Sequence, residues 1–257
     1  MCIPILYNRK RWIGLSEKLM IKKSLLFILL IMLSVGFAQQ RKMEHLNEDE
    51  IDLKYLFFLP KDYYIAKKTA WPIILFLHGM GERGDNLELV KIHGIPKIVK
   101  TKKDFPFIAV SPQCRTEYVW RDKKMLQAVE SLIMKIIKNY RVDETRVYVT
   151  GLSMGGRGTW AIATHRPDLF AAAVPICGGG DPRTAGLLRD LPFWVFHGAY
   201  DEVHYPDESE KMVHALKKTG GKVRYTLYPE AYHDSWTETY DNPALYDWLL
   251  SNRKAEN

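Results

Sequence analysis

The chain has 257 residues, 47% of them hydrophobic, and a formal net charge of +7 at pH 7. That length and composition suit one well-buried domain and exclude a disordered chain. The charge points away from nucleic acid: Arg9, Lys10, Arg11, Lys18, Lys22 and Lys23 against Glu17 place an excess of five in residues 1–38, which leaves +2 for the rest, and no basic stripe with interleaved aromatics follows.

Residues 1–38 have the form of a secretory leader. Lys22-Lys23 precede the apolar run Leu25 to Phe37, and Gly36-Phe37-Ala38 puts small residues at the two positions that determine cleavage. The run is short for a bilayer span, and no cysteine follows it to carry a lipid. Met20 offers a second translation start. An exported protein beginning near Gln39, periplasmic or secreted and without a lasting membrane anchor, is expected. Only Cys114 and Cys177 then remain; each ends a different predicted strand, and two free thiols are expected rather than a disulfide framework.

After the charged segment Arg41 to Asp52, Leu53 to Pro60 reads as a strand and Lys61 to Ala70 as its connection. Pro72 to Leu77 is an unbroken apolar run ending at His78-Gly79, the pattern of a strand buried on both faces, and Phe107 to Val110 is another. Between Asp122 and Asn139, Met125, Leu126, Val129, Leu132, Ile133, Ile136 and Ile137 form a helical stripe. The β-branched run Val147 to Thr150 enters the tight turn Gly151-Leu152-Ser153-Met154-Gly155, and a helix follows. Ala172 to Ile176, Phe193 to Phe196 and Arg224 to Tyr228 continue the strands, with Glu208 to Lys218 helical between the last two and Ala244 to Leu250 a closing helix. Strands separated by helix-length segments predict an α/β fold: a doubly wound, mostly parallel sheet with helices on both faces, formed by residues 39–257 as a single domain. Gly178 to Leu191 is too short for a large cap, so any site at the sheet edge should be open.

The strand, turn and helix around Ser153 put a hydroxyl at the tip of a sharp bend beside a helix N-terminus, where backbone N–H groups favour developing negative charge. A serine hydroxyl needs a base to become nucleophilic. His233, in the loop Pro229 to Trp236 after the last strand, returns to the same carboxyl edge of a parallel sheet and is the expected base. His78 and His197 each end a strand before a glycine and are expected to be structural; His45, His93, His165, His204 and His214 read as surface residues. Asp201, past the strand Phe193 to Phe196, is the expected orienting acid. Glu202, Asp207 and Glu208 are better explained as capping and solvated charge, and Asp234 would have to fold back. Backbone N–H groups of Met154 and Met80 are the expected oxyanion donors, the second carried by the glycine-flanked turn His78 to Gly81. Trp120, Tyr200, Tyr232 and Trp236 are candidates for a pocket holding an acyl group or a sugar. Asp181, Asp190, Asp201 and Asp207 are scattered and no histidine pair has helical ligand spacing, so neither a metal nor an organic cofactor is expected.

The stretches LHGMGERGDN, GLSMGG, HGAYDEV and AYHDSW, in this order between Trp71 and Trp236, resemble the α/β-hydrolase superfamily. The likeness is to exported bacterial phospholipase/carboxylesterase-like and feruloyl-esterase-like enzymes, with dienelactone hydrolase and prolyl oligopeptidase catalytic domains as cousins. The resemblance implies an acyl-enzyme on Ser153, proton relay by His233 and an imidazole held by Asp201. It implies a serine esterase acting on small-molecule or polysaccharide-linked carboxylic esters, acetyl or feruloyl groups on plant polysaccharide among them. Two alternatives stand beside it: a peptidase or acyl-aminoacyl hydrolase, and a non-catalytic carbohydrate-binding or scaffold relative. No lid and no preceding β-propeller are visible, which weighs against the gated peptidases.

Overall fold

The computed structural model describes residues 38–45 and 51–255. The expected leader, residues 1–38 with its Met20 start, lies outside the described residues except for Ala38. The strands are β1 (Gln40–His45), β2 (Leu53–Phe58), β3 (Trp71–Leu77), β4 (Ile108–Pro112), β5 (Val142–Leu152), β6 (Ala172–Ile176), β7 (Phe193–Gly198) and β8 (Val223–Tyr228). The α-helices are α1 (Leu87–Val90), α2 (Gly94–Thr101), α3 (Lys123–Asn139), α4 (Met154–His165), α5 (Pro206–Lys218), α6 (Trp236–Asp241) and α7 (Pro243–Ser251).

The strands form one sheet in the order β1-β2-β4-β3-β5-β6-β7-β8. β1 and β2 are antiparallel to their neighbours, and every pair from β4 to β8 is parallel. Successive residues of a strand face opposite sides, and in β3 both sides are buried: Ile73, Leu75 and Leu77 join one core, Ile74 and Phe76 the other. Helices α3, α4 and α5 supply Leu132, Trp160 and Met212 to the first core. Helices α1, α2, α6 and α7 supply Val90, Ile95, Tyr240 and Leu249 to the second. This is the doubly wound, mostly parallel α/β sheet that the strand–helix alternation implies. The free thiols Cys114 and Cys177 belong to different cores, on opposite faces of the sheet.

Several features depart from the sequence expectation. Gln40–His45, which overlaps the charged segment Arg41 to Asp52, is the edge strand β1, with Arg41, Lys42 and Glu44 exposed; such an edge strand carries no alternating apolar signal, and its charges discourage edge pairing. His45 is not a surface residue: it is buried at the end of β1 with Nε2 3.1 Å from Ser131 Oγ. Helix α2 begins at Gly94 (φ 61°), where a Cβ would lie 2.2 Å from a Phe76 ring carbon, a tertiary constraint that sequence periodicity does not carry.

The sheet's middle fixes the turn at residues 151–155. β5 pairs with β3 through Leu77↔Gly151 and with β6 through Leu152↔Ile176, so the turn leaves the sheet between two parallel neighbours. A Cβ on Gly155 would sit 1.9 Å from the Leu77 carbonyl oxygen, and one on Gly151 would sit 2.4 Å from the Gly155 carbonyl oxygen. Gly155→Ala is therefore expected to cost about 3 kcal/mol or more, a thermal midpoint lower by about 6–12 °C. Gly186→Ala, where an added Cβ meets nothing within 4 Å, should leave the midpoint nearly unchanged. Parallel thermal melts of the two variants check the contrast.

Candidate active site

β5 ends at Leu152 and α4 starts at Met154, so Ser153 alone makes the bend, at φ 54° and ψ −115°. A non-glycine residue held at positive φ costs about 1–3 kcal/mol and persists only where its surroundings over-determine it. Here the Ser153 N–H donates to the Ile176 carbonyl at 2.9 Å and the Cys177 thiol sulfur lies 3.2 Å from the same nitrogen. The hydroxyl consequently projects from the start of α4, where the first N–H groups have no intrahelical acceptor.

The loop after β8 brings His233 to that hydroxyl: Nε2 is 3.0 Å from Ser153 Oγ, and Nδ1 is 2.8 Å from Asp201 Oδ2. Asp201, in the loop after β7, is 2% exposed. Its Oδ1 accepts the N–H groups of Val203 and His204, both at 2.9 Å. Burial by itself would raise the Asp201 carboxyl, but the hydrogen bond from His233 and the N–H of His204 outweigh it and hold the group below its ordinary value. An ionised Asp201 accepts the proton on Nδ1, which leaves Nε2 as the acceptor facing the serine hydroxyl. A hydroxyl, an imidazole and a carboxylate placed this way can move a proton off the hydroxyl as it attacks an electrophile.

The two loops are tied by backbone. The Tyr200 N–H donates to the Ala231 carbonyl and the Ala199 N–H to the Tyr228 carbonyl, each at 2.9 Å. A Cβ on Gly198 would lie 2.1 Å from the Tyr232 carbonyl oxygen. His197, fully buried at the end of β7, adds a side-chain tie: Nδ1 is 2.7 Å from Ser209 Oγ, and Nε2 is 2.8 Å from the His204 carbonyl and 3.1 Å from Asp201 Oδ2. The His197 and Asp201 spacing of four residues across a strand end is the sequence signal for this support.

The turn after β3 lies against the bend from the other side. Buried His78 donates from Nδ1 to the Gly79 carbonyl at 2.6 Å and accepts the Cys114 N–H on Nε2 at 3.0 Å. Burial lowers its pKa to about 4, so both ring nitrogens serve structure, as expected. Because a peptide unit is planar, anchoring the Gly79 carbonyl also directs the Met80 N–H. Met80 opens a 3-10 turn and Met154 opens α4.

Among the expected pocket residues, Trp120 is corrected: it is 1% exposed, donates from Nε1 to the His78 carbonyl at 2.9 Å and packs edge-on against the His78 ring, so it supports the turn and offers no face to a ligand. Tyr200 and Tyr232 are exposed and pair ring to ring at 5.6 Å. Trp236 stands edge-on to His233 at 5.3 Å and its Nε1 reaches His93 Nδ1 at 3.3 Å. His204, read as a surface residue, is half-buried with its ring 5.4 Å from that of His233. Of the other acids, Asp207 is exposed and pairs with Lys211, and Asp234 accepts from the N–H and hydroxyl of Thr237; Glu208 is corrected, being neither a cap nor a solvated charge but half-buried against Arg157.

Cys177, Asp201 and His233 offer ligand atoms within 4.8 Å of one another, the one such metal-competent group among the described residues. Asp201 and His233 already hydrogen-bond each other there.

A family profile, the dienelactone hydrolase family, matches residues 96–250. A bifunctional acetylxylan esterase/xylanase of Neocallimastix patriciarum is 30% identical over 136 residues, 51% of this chain and 19% of the relative. The crystal structure of a thermostable esterase superposes with a TM-score of 0.74 at 34% identity, covering 84% of this chain and 63% of that one. A ferulic acid esterase structure, 20% identical with a TM-score of 0.63 over 83% of this chain and 97% of that one, shares the fold. The chain spans less than half the length of the curated relatives it matches.

The depressed Asp201 carboxyl has a signed consequence. In the folded chain the group binds its proton at lower pH than in the unfolded chain, so its stabilisation is present above the unfolded value of about 3.9 and disappears as pH falls through the folded value. The stability gap between the wild type and Asp201→Asn is expected to be largest near neutrality and to narrow on acidification below about pH 4; thermal midpoints of both proteins between pH 7 and pH 3 measure it.

Proposed function

The chain belongs to the dienelactone hydrolase family, and from that premise we propose that it is a serine hydrolase that cleaves carboxylic esters through an acyl-enzyme on Ser153. The observation that carries this reading is the unbroken hydrogen-bonded series Ser153 Oγ, His233 Nε2, His233 Nδ1 and Asp201 Oδ2, at 3.0 and 2.8 Å. Ser153 Oγ attacks the ester carbonyl while His233 Nε2 takes its proton. The carbonyl oxygen, now negative, is held by the N–H groups of Met154 and Met80. Collapse expels the alcohol, which leaves with the proton from His233. Water then repeats the sequence in reverse and frees Ser153. Asp201 stays ionised throughout and stabilises the transient imidazolium.

The proposed substrates are short acyl or feruloyl esters on plant polysaccharide. The acetylxylan esterase/xylanase likeness supports the acetyl group. The exposed Tyr200 and Tyr232 rings, on the residues before Asp201 and His233, support a sugar or aromatic contact at the rim, since aromatic faces suit both. Export to the periplasm or beyond is proposed with it, on the leader pattern Lys22 to Ala38, and polysaccharide outside the cell is where such a substrate lies.

A fluorophosphonate probe followed by an ester panel tests the reading. The wild type should label once and hydrolyse p-nitrophenyl acetate and acetylated xylan in preference to a peptide anilide. Ser153→Ala should lose labelling, and Ser153→Ala and His233→Ala should each lower kcat by about 10⁴-fold or more with the fold retained by circular dichroism. Labelling that survives Ser153→Ala, or preference for the anilide, would overturn it.

A further inference from the structure

Arg157 lies one turn into α4, its N–H donating to the Ser153 carbonyl at 3.0 Å. Its guanidinium is used unevenly. Glu208 Oε1 at 2.8 Å, Glu208 Oε2 at 2.6 Å and His204 Nδ1 at 3.0 Å all meet Nη2. Nη1 has no partner among the described residues, and neither does the buried Nε–H. Native proteins rarely leave a charged donor's capacity unused inside a fold.

That side chain lines a cavity of about 660 Å³ between α3, α4, the segment 179–184 and α5. The volume is ample for a small-molecule ligand. Leu126 and Ala161 give it an apolar wall. The charges around it do not cancel. Glu208 is taken by Arg157, Asp181 by Arg183 at 2.6 Å and Lys211 by Asp207 at 2.6 Å. Arg121 also lines the cavity and has no partner among the described residues. The exposed, unpaired guanidinium of Arg121 and the half-used guanidinium of Arg157, whose Nη1 is unpaired among the described residues, thus border the same space.

We propose that this cavity is a second binding site, which takes a carboxylate carried on a ring-sized group, with Arg121 and Arg157 as its donors. A planar guanidinium matches a carboxylate's two oxygens, and the apolar wall takes the ring. Two sources share this chemistry: a hexuronate unit of a polysaccharide and an aromatic acid. The site adjoins the candidate active site through the Arg157–His204 contact and the His204 ring against His233, but it goes beyond the esterase reading and does not depend on it.

Calorimetric titration of the whole protein with sodium glucuronate, sodium benzoate and neutral methyl glucoside tests this. None of the three is an ester, so failure of ester hydrolysis and failure of this site are separate results. At least one carboxylate should bind with one-to-one stoichiometry, more weakly as salt rises, and methyl glucoside should not; the carboxylate that binds identifies the source. Arg121→Ala should weaken that binding by about tenfold, the loss of one charge-assisted contact. Arg121→Glu should abolish it, and Arg121→Lys should keep part of it. Circular dichroism checks that each variant is folded. Binding of neither carboxylate, equal binding of the neutral sugar, or binding unchanged in Arg121→Glu would overturn the proposal.

Discussion

At the carboxyl end of β5 three stretches of backbone come so close that side chains are excluded between them. The Gly155 Cα faces the Leu77 carbonyl at a distance that leaves no space for a methyl group, and Gly151 faces Gly155 in the same way. That approach forces the chain to reverse over one residue. It therefore drives Ser153 into a backbone conformation an L-residue rarely adopts, and the sheet hydrogen bonds on either side hold it there. The start of α4, the hydroxyl at its tip and the neighbouring turn after β3 all inherit their positions from this contact. A rigid scaffold of this kind suits a site whose groups must meet within a few tenths of an ångström.

The second determinant is the buried carboxylate. Removing an ionised Asp201 from water is unfavourable by several kcal/mol unless it is well hydrogen-bonded, and it is: two N–H groups of its own loop and the imidazole of His233 converge on it. The same bonds that keep it ionised also orient His233, so the burial of the carboxylate and the position of the imidazole share one cause. His204 joins this cluster from both sides. Its N–H binds Asp201, its carbonyl receives His197, and its ring, whose pKa is lowered by burial and by the nearby Arg157 charge, stands between Arg157 and His233. A structural link thus runs from the cationic cavity behind α4 to the imidazole at the sheet edge.

Much of this was legible in the residues because it rests on local patterns. Unbroken apolar runs mark strands covered on both faces, and β3, β6 and β7 fall where such runs predict. The stripe from Met125 to Ile136 marks a helix against one face. The Gly151-to-Gly155 turn between a β-branched run and a helix marks the bend. Asp201 and His233 could be chosen among competing acids and histidines because only loops after strands return to the carboxyl edge of a parallel sheet. Local pattern misleads at residues whose environment is made by distant chain. The sequence context of Trp120 suggests a ligand-facing aromatic, but the side chain is covered by the turn it supports. The polar neighbours of His45 and His204 suggest solvated side chains, yet His45 is buried against α3 and His204 is half-buried against the loops that carry Asp201 and His233. β1 was illegible because a charged edge strand lacks alternation.

By itself, then, the order of residues determined the doubly wound sheet, the bend at Ser153 and the identity of its two partners, since hydrophobic periodicity and turn chemistry act over a few residues. The tertiary structure alone decided which polar side chains are buried, how His197 and His204 clamp the acid, and that Arg121 and Arg157 share a cavity. Those outcomes depend on backbone and side-chain approaches between segments tens of residues apart, which no local pattern encodes.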